Sequence, residues 1–151
     1  MPAGLFQTSH LLLLTFTTVL MAVPAVFYLL TLQKALARCS QQSRTTSPES
    51  VWLMLIPLFN LVYQFILIGN IAKSLSNEFA LRGIVQVERE PGKTLGIAMA
   101  VLNIAGVIPI LGIPLAIASF VCWILYWVKI ANFSGMIAMP YFPVQTPRTA
   151  V

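Results

Sequence analysis

Three long apolar runs alternate with polar stretches, and each run predicts helix in lipid. The first is "HLLLLTFTTVLMAVPAVFYLLTLQKALA". It predicts a span from about Ser9 to Leu36, longer than the roughly 20 apolar residues a bilayer requires. Pro24 falls in mid-span, where a kink is tolerated if neighbouring groups satisfy the freed carbonyl. "MAVPA" offers a weak signal-peptide cleavage site. No Lys or Arg precedes the run, however, and it continues well past that site, so a retained span is expected.

A polar loop follows, "RCSQQSRTTSPES", with no apolar period. Its end offers Ser47 or Ser50 as a helix cap and Glu49 near a helix start. The second run, "VWLMLIPLFNLVYQFILIGN", continues through "IAKSLSNEFALRG". The membrane part is expected over about 51–75, in a helix that starts at Val51 or at Pro57 and ends before Gly83. Pro57 either kinks this helix or begins it after an interfacial "VWLML". From Ile71 to Arg82 the pattern is amphipathic. Leu75 and Phe79 are expected on the apolar side, with Lys73, Asn77 and Glu78 toward water. "IVQVEREPGK" is a charged connector with a Pro91-Gly92 turn.

The third run, from Thr94 to Ala131, is too long for one span and carries "IPILGIP" in its middle. Residues before proline are pushed out of the helical region. Two spans are therefore expected, about 95–108 and 115–130, joined by a tight Pro/Gly turn. A re-entrant hairpin is the alternative, because each half is short for the hydrocarbon core. The fold expectation is all-α: a four-span transmembrane bundle over residues 1–135 and a Pro-rich tail over 136–151.

Composition strengthens the membrane reading. The 151 residues are 58% hydrophobic and 9% charged, against about 25% charged in ordinary soluble domains. The net charge is +5, but the basic residues sit at the ends of apolar runs, where they anchor spans rather than bind nucleic acid. With four crossings both termini share a side. Taking that side as cytoplasmic places Lys73, Arg82, Arg89, Lys93, Lys129 and Arg148 inside, and Lys34, Arg38 and Arg44 outside. Trp52, Trp123, Tyr126, Trp127 and Lys129 are expected as membrane-interface anchors.

Little in the chain suggests catalysis. There is no Asp, and Glu49, Glu78, Glu88 and Glu90 all fall in loops or beyond the expected membrane edge. His10 is the only histidine and has no nearby partner. Cys39 and Cys122 lack metal-like spacing and are expected as unpaired thiols. "PGKT" lacks the earlier glycine of a phosphate loop. No catalytic, cofactor or metal site is expected.

What remains is a set of contact residues. Asn60 and Gln64 are four apart and share a helix face. Asn70 and Ser74 form a second such pair, and Asn103 lies in the third span. Gly96 with Ala100, and Gly112 with Ala116, have the small-xxx-small spacing that lets backbones approach. In lipid such amides bond other helices or, alternatively, line a path or a headgroup site.

At "WLMLIPLFNLVYQF", "IAKSLSNEFALRG", "PGKTLGIAMAVL" and "WILYWVKIANFS" the chain resembles a group of small bacterial membrane proteins of unassigned function. The pattern covers roughly Trp52 to Ser134. It implies a bacterial inner-membrane protein and carries no activity. The functional expectation is a non-catalytic accessory subunit of a membrane assembly, or a homo-oligomer. Its partners would be lipid and other membrane subunits or itself. A small channel or uncharged-solute transporter along the amide row is the alternative.

Overall fold

The structure, a computed structural model, describes residues 3–85, 88–106 and 112–139. Most of those residues are helical, with no strand among them. The elements are α1 (Ala3–Arg38), a 3-10 segment (Pro48–Leu55), α2 (Pro57–Leu81), α3 (Lys93–Ala105) and α4 (Gly112–Ala138). Three of these, Thr8–Arg38 within α1, α2 and α4, are long and apolar enough to cross a membrane. Helix α3, at 13 residues, reaches only about 20 Å, short of a core about 30 Å thick. Four full spans are therefore not established. Of the proline turn expected over 108–114, residues 108–111 lie outside the described residues, and Gly112 to Pro114 already belong to α4; the tail beyond Met139 also lies outside them. Residues 136–138, expected in that tail, continue α4.

Local chemistry explains the helix ends. α2 begins at Pro57, whose missing N–H costs nothing at the first helical position. Its first bond runs from Asn60 N–H to the Ile56 carbonyl (2.8 Å). Its far end closes on Gly83 at φ +64°. There Ile84 N–H reaches the Phe79 carbonyl (3.0 Å) and Gly83 N–H the Ala80 carbonyl (3.2 Å). This paired closure satisfies the last carbonyls and needs a left-handed residue. Ser47 stands at the cap of the 3-10 segment but makes no side-chain capping bond.

Helix direction follows from matched contacts. Arg38 Nη1 donates to the Ser134 carbonyl (2.7 Å) and Oγ (2.9 Å). One heptad earlier on both helices, Trp127 Nε1 donates to Thr31 Oγ1 (2.9 Å). Both pairs keep the same sequence separation, so α1 and α4 run parallel. α2 runs the same way: the Phe79 and Phe133 rings meet at 5.7 Å, and Arg82 Nη1 donates to the Ile137 carbonyl (2.7 Å). α3 runs against them, with Gly92 near Ile130 and Gly96 near Tyr126, while Asn103 receives a bond from Ser119.

Parallel α1 and α2 require a return path, and residues 39–56 supply it. Thr45 meets α2 at Asn70 and Ser74. Higher up, Trp52 Nε1 donates to Gln33 Oε1 of α1 (3.1 Å). The 3-10 segment, about 16 Å long at 2.0 Å per residue, thus climbs between α1 and α2. Val51 is fully buried there, as non-helical backbone in an apolar layer must be covered by protein.

This path corrects two expectations. α1 and α4 end together, so Ala3 and Ala138 lie at opposite ends of the bundle, not on one side. Lys34, Arg38 and Arg44, expected across the membrane from the other basic residues, share an end with Lys73, Arg82, Arg89, Lys93 and Lys129. Arg38 touches α4 at Ser134, and the loop that carries Arg44 bonds α2 at Glu78. The cause is the 3-10 return: it brings the chain back without an α-helical crossing, which apolar periodicity alone cannot distinguish from the start of a span.

Candidate functional site

Two polar regions lie inside this framework. The lower one gathers where α1, α2 and α4 end. Glu78, expected toward water, is 3% exposed. Its Oε2 accepts from Ser40 N–H and Ser40 Oγ (both 2.8 Å), and its Oε1 accepts from Arg82 Nε (2.7 Å). Burial of a carboxylate is tolerated because three donors face it, one of them cationic. Ser43 lies 3.0 Å from Ser40 Oγ and accepts at its carbonyl from Asn77 Nδ2 (3.3 Å). Arg44 donates to the Cys39 and Ala37 carbonyls (both 2.8 Å), capping α1. The Cys39 thiol donates to the Ala35 carbonyl (3.4 Å). Burial, then the Glu78 charge, pushes its pKa up to about 11, so it stays protonated and unreactive. Both cysteines are free.

A second ion pair joins the connector to α4. Glu88 bonds Lys129 and also accepts from Gly92 N–H (3.0 Å). The Lys129 bond, followed by the Gly92 bond, lowers the Glu88 pKa. Lys93 pairs with Glu90 at 2.7 Å. Among the described residues, no three His, Cys, Asp or Glu stand close enough to hold a metal.

The upper region is a cavity of about 190 Å³ bounded by α1, the 3-10 segment, α2, α3 and α4. Its polar lining is Tyr28, Asn60, Gln64 and Asn103, and its apolar wall includes Leu29, Met54, Met99 and Trp123. Asn103 Oδ1 accepts from Ser119 Oγ at 2.9 Å. The Tyr28 hydroxyl and Asn60 Oδ1 are buried with no hydrogen-bond partner among the described residues. Leu55 and Asn103 form an exposed part of the rim.

The sequence-expected contact residues divide between these regions. Asn60, Gln64 and Asn103 meet in the cavity. Asn70 and Ser74 instead hold the returning loop: the Asn70 carbonyl accepts from Thr45 Oγ1 (2.9 Å), and Ser74 Oγ accepts from Thr45 N–H (3.0 Å). The four-residue row is thus two separate sites. Gly96 lies where α2, α3 and α4 converge. A Cβ there would stand 2.6 Å from Ile68 Cγ2 and 2.9 Å from Tyr126 Cε2. Ala100 is fully buried beside it on α3. Gly112 sits against the Gly106 carbonyl, while Ala116 is exposed.

Of the expected interface anchors, Tyr126 is 1% exposed, so it holds helices together and faces no headgroup. Trp123 and Trp127 pack around the Tyr28 ring, at 5.4 and 6.2 Å between centroids. Trp52 is half-buried through its bond to Gln33, and Lys129 through Glu88. Two central residues escaped the sequence reading, Glu78 and Tyr28. The four-residue spacing of Glu78 and Arg82 was a visible signal for an ion pair. Nothing in the sequence distinguished Tyr28 from other span aromatics.

Compared with protein-family models, with curated proteins and with solved structures, the chain finds no match.

Proposed function

We propose that this integral membrane protein is non-catalytic and works by contact, as an accessory or structural subunit of a larger membrane assembly or as a homo-oligomer. The carrying observation is the first half of α1. Leu11, Leu12, Leu13, Leu14, Phe16 and Val19 are each more than half exposed, the least of them Leu11 at 57%. The Thr15, Thr17 and Thr18 hydroxyls bond carbonyls of their own helix. This stretch therefore offers neighbours an apolar surface without unsatisfied hydroxyls. An apolar cleft of about 530 Å³ continues it, lined by Pro24, Phe120, Trp123, Ile124, Trp127 and Val128 among others. Lipid covers such a surface by default, and small residues such as Ala131 in the cleft permit a helix to approach. Mild-detergent extraction followed by mass determination should give a protein particle well above 16.6 kDa. A strict monomer across several mild detergents overturns the reading.

The resemblance to small bacterial proteins supports the inner membrane as the location. The end that gathers Lys34, Arg38, Arg44, Lys73, Arg82, Arg89, Lys93 and Lys129 is then cytoplasmic, by the preference of Lys and Arg for that side. The N-terminal end of α1 lies across the membrane.

The alternative, a small channel or uncharged-solute transporter, is favoured by the meeting of Asn60, Gln64 and Asn103 in one cavity. Thr45, bonded across Asn70 and Ser74, interrupts that path below. Solute flux into liposomes that disappears in Asn60→Leu/Gln64→Leu would establish transport. Its absence from the parent protein eliminates it.

A further inference from the structure

We propose that the cavity lined by Tyr28, Asn60, Gln64 and Asn103 binds the uncharged, hydroxyl-bearing head of an amphiphile drawn from the bilayer, of the monoacylglycerol type. The inference concerns ligand binding and is independent of whether the protein is a subunit.

The first observation is the pair of orphan atoms. Tyr28 is 4% exposed, and both its hydroxyl and Asn60 Oδ1 lack a partner. Leaving such groups buried and unmet is destabilising. Both line the same cavity. Asn60 Oδ1 requires a donor, whereas a phenol hydroxyl gives one proton and accepts others. A hydroxyl ligand meets both demands, and an ester or ether oxygen cannot serve Asn60.

The second observation is size and access. At about 190 Å³ the cavity exceeds the roughly 150 Å³ that accepts a benzene-sized guest. A glycerol head fits in it, and a complete phospholipid head with its counter-charges does not. Among the described residues no Lys, Arg, Asp or Glu lines the space, so a charged head would be buried without compensation. Leu55, 56% exposed, and Asn103 leave the rim open on the side of the bundle, where an acyl chain can remain in lipid. Trp123 in the wall provides an optical reporter.

The test uses the full chain in phosphatidylcholine vesicles. A monoacylglycerol with a dibrominated acyl chain is titrated while tryptophan emission is read. The control is the methyl ester of the same brominated acid, which has the tail without hydroxyls. Saturable quenching by the monoacylglycerol and only linear, collisional quenching by the ester are expected. Tyr28→Phe should shift the midpoint at least about five-fold, the equivalent of one hydrogen bond. The same variant should unfold at the parent's temperature or higher, which separates lost binding from lost folding. Equal quenching by the two probes, linear quenching by both as expected of a water-filled space, or an unshifted midpoint in Tyr28→Phe overturns the proposal.

Discussion

At the charged end, Glu78 accepts three hydrogen bonds, and α1 and α2 are tied to α4 through Arg38 and Arg82. About 27 Å higher along α2 by helical rise, Asn60 Oδ1 and the Tyr28 hydroxyl have no partner. Both regions place polar atoms inside an apolar bundle. One is closed by protein groups, and the other leaves two polar atoms unpartnered among the described residues. Substitution is therefore costly in one region and cheap in the other. Removing a fully partnered group strands its partners, whereas removing an orphan relieves a penalty already present.

The largest expected effect follows directly. Glu78→Ala leaves Arg82 without its carboxylate and Ser40 without its acceptor, and should cost about 3 kcal/mol or more. Thermal unfolding in detergent reads this, and a loss below about 1 kcal/mol would show that the clasp is not closed as described. Next is Gly96→Ala, where the added carbon meets Ile68 and the buried Tyr126. Overpacking of this kind costs about 1–3 kcal/mol, and an unchanged midpoint would mean that α2 and α4 stand further from α3. Thr45→Val removes a hydroxyl bonded to the Asn70 carbonyl while keeping the side-chain shape. Roughly 0.5–1 kcal/mol should be lost, with faster proteolysis of the 39–47 loop as the accompanying sign.

Tyr28→Phe is the counterpart at the cavity. It should leave the stability of the ligand-free protein unchanged or slightly higher, since the hydroxyl that it deletes has no partner. A loss comparable to that of Glu78→Ala would erase the distinction between the two regions. The smallest effect is electrostatic. Glu88 has a lowered pKa through Lys129 and Gly92. Its contribution is therefore complete above the unfolded carboxyl value of about 4.3 and is lost as pH falls through the lower folded value. The Glu88→Gln variant should show a weaker decline in stability below about pH 4.3 than the parent. Identical acid profiles would assign that decline to other carboxylates.

Much of the scaffold was legible in the sequence because it depends on local chemistry. Apolar runs gave helices, Pro57 offered a helix start, and Gly83 gave a stop. The return through residues 39–56 was not legible. "SVWLML" is as apolar as the span that follows it; the sequence left a helix start at Val51 or at Pro57 open, and tertiary contacts such as Trp52 with Gln33 decide for Pro57. Once that segment is misread as span, the basic residues are divided between two sides and α1 and α2 become antiparallel. Glu78 was misjudged for a related reason. Its helix face looked wet, but the donors that bury it come from Ser40, 38 residues away. The cavity was half visible, since Asn60, Gln64 and Asn103 stood out as amides in apolar runs. Tyr28 did not, because a phenol among span aromatics is ordinary until its hydroxyl is seen to have no partner.

Both polar regions depend on α1, α2 and α4 running in one direction. Labelling with a membrane-impermeant thiol reagent tests that most directly, in a chain with Cys39 and Cys122 replaced by Ser and a single cysteine at Ser9 or at Met139. In intact bacterial cells the Ser9→Cys chain should label from outside, and the Met139→Cys chain only after the membrane is opened. Labelling of both from the same side would contradict the parallel arrangement, and with it the account of the clasp and the cavity.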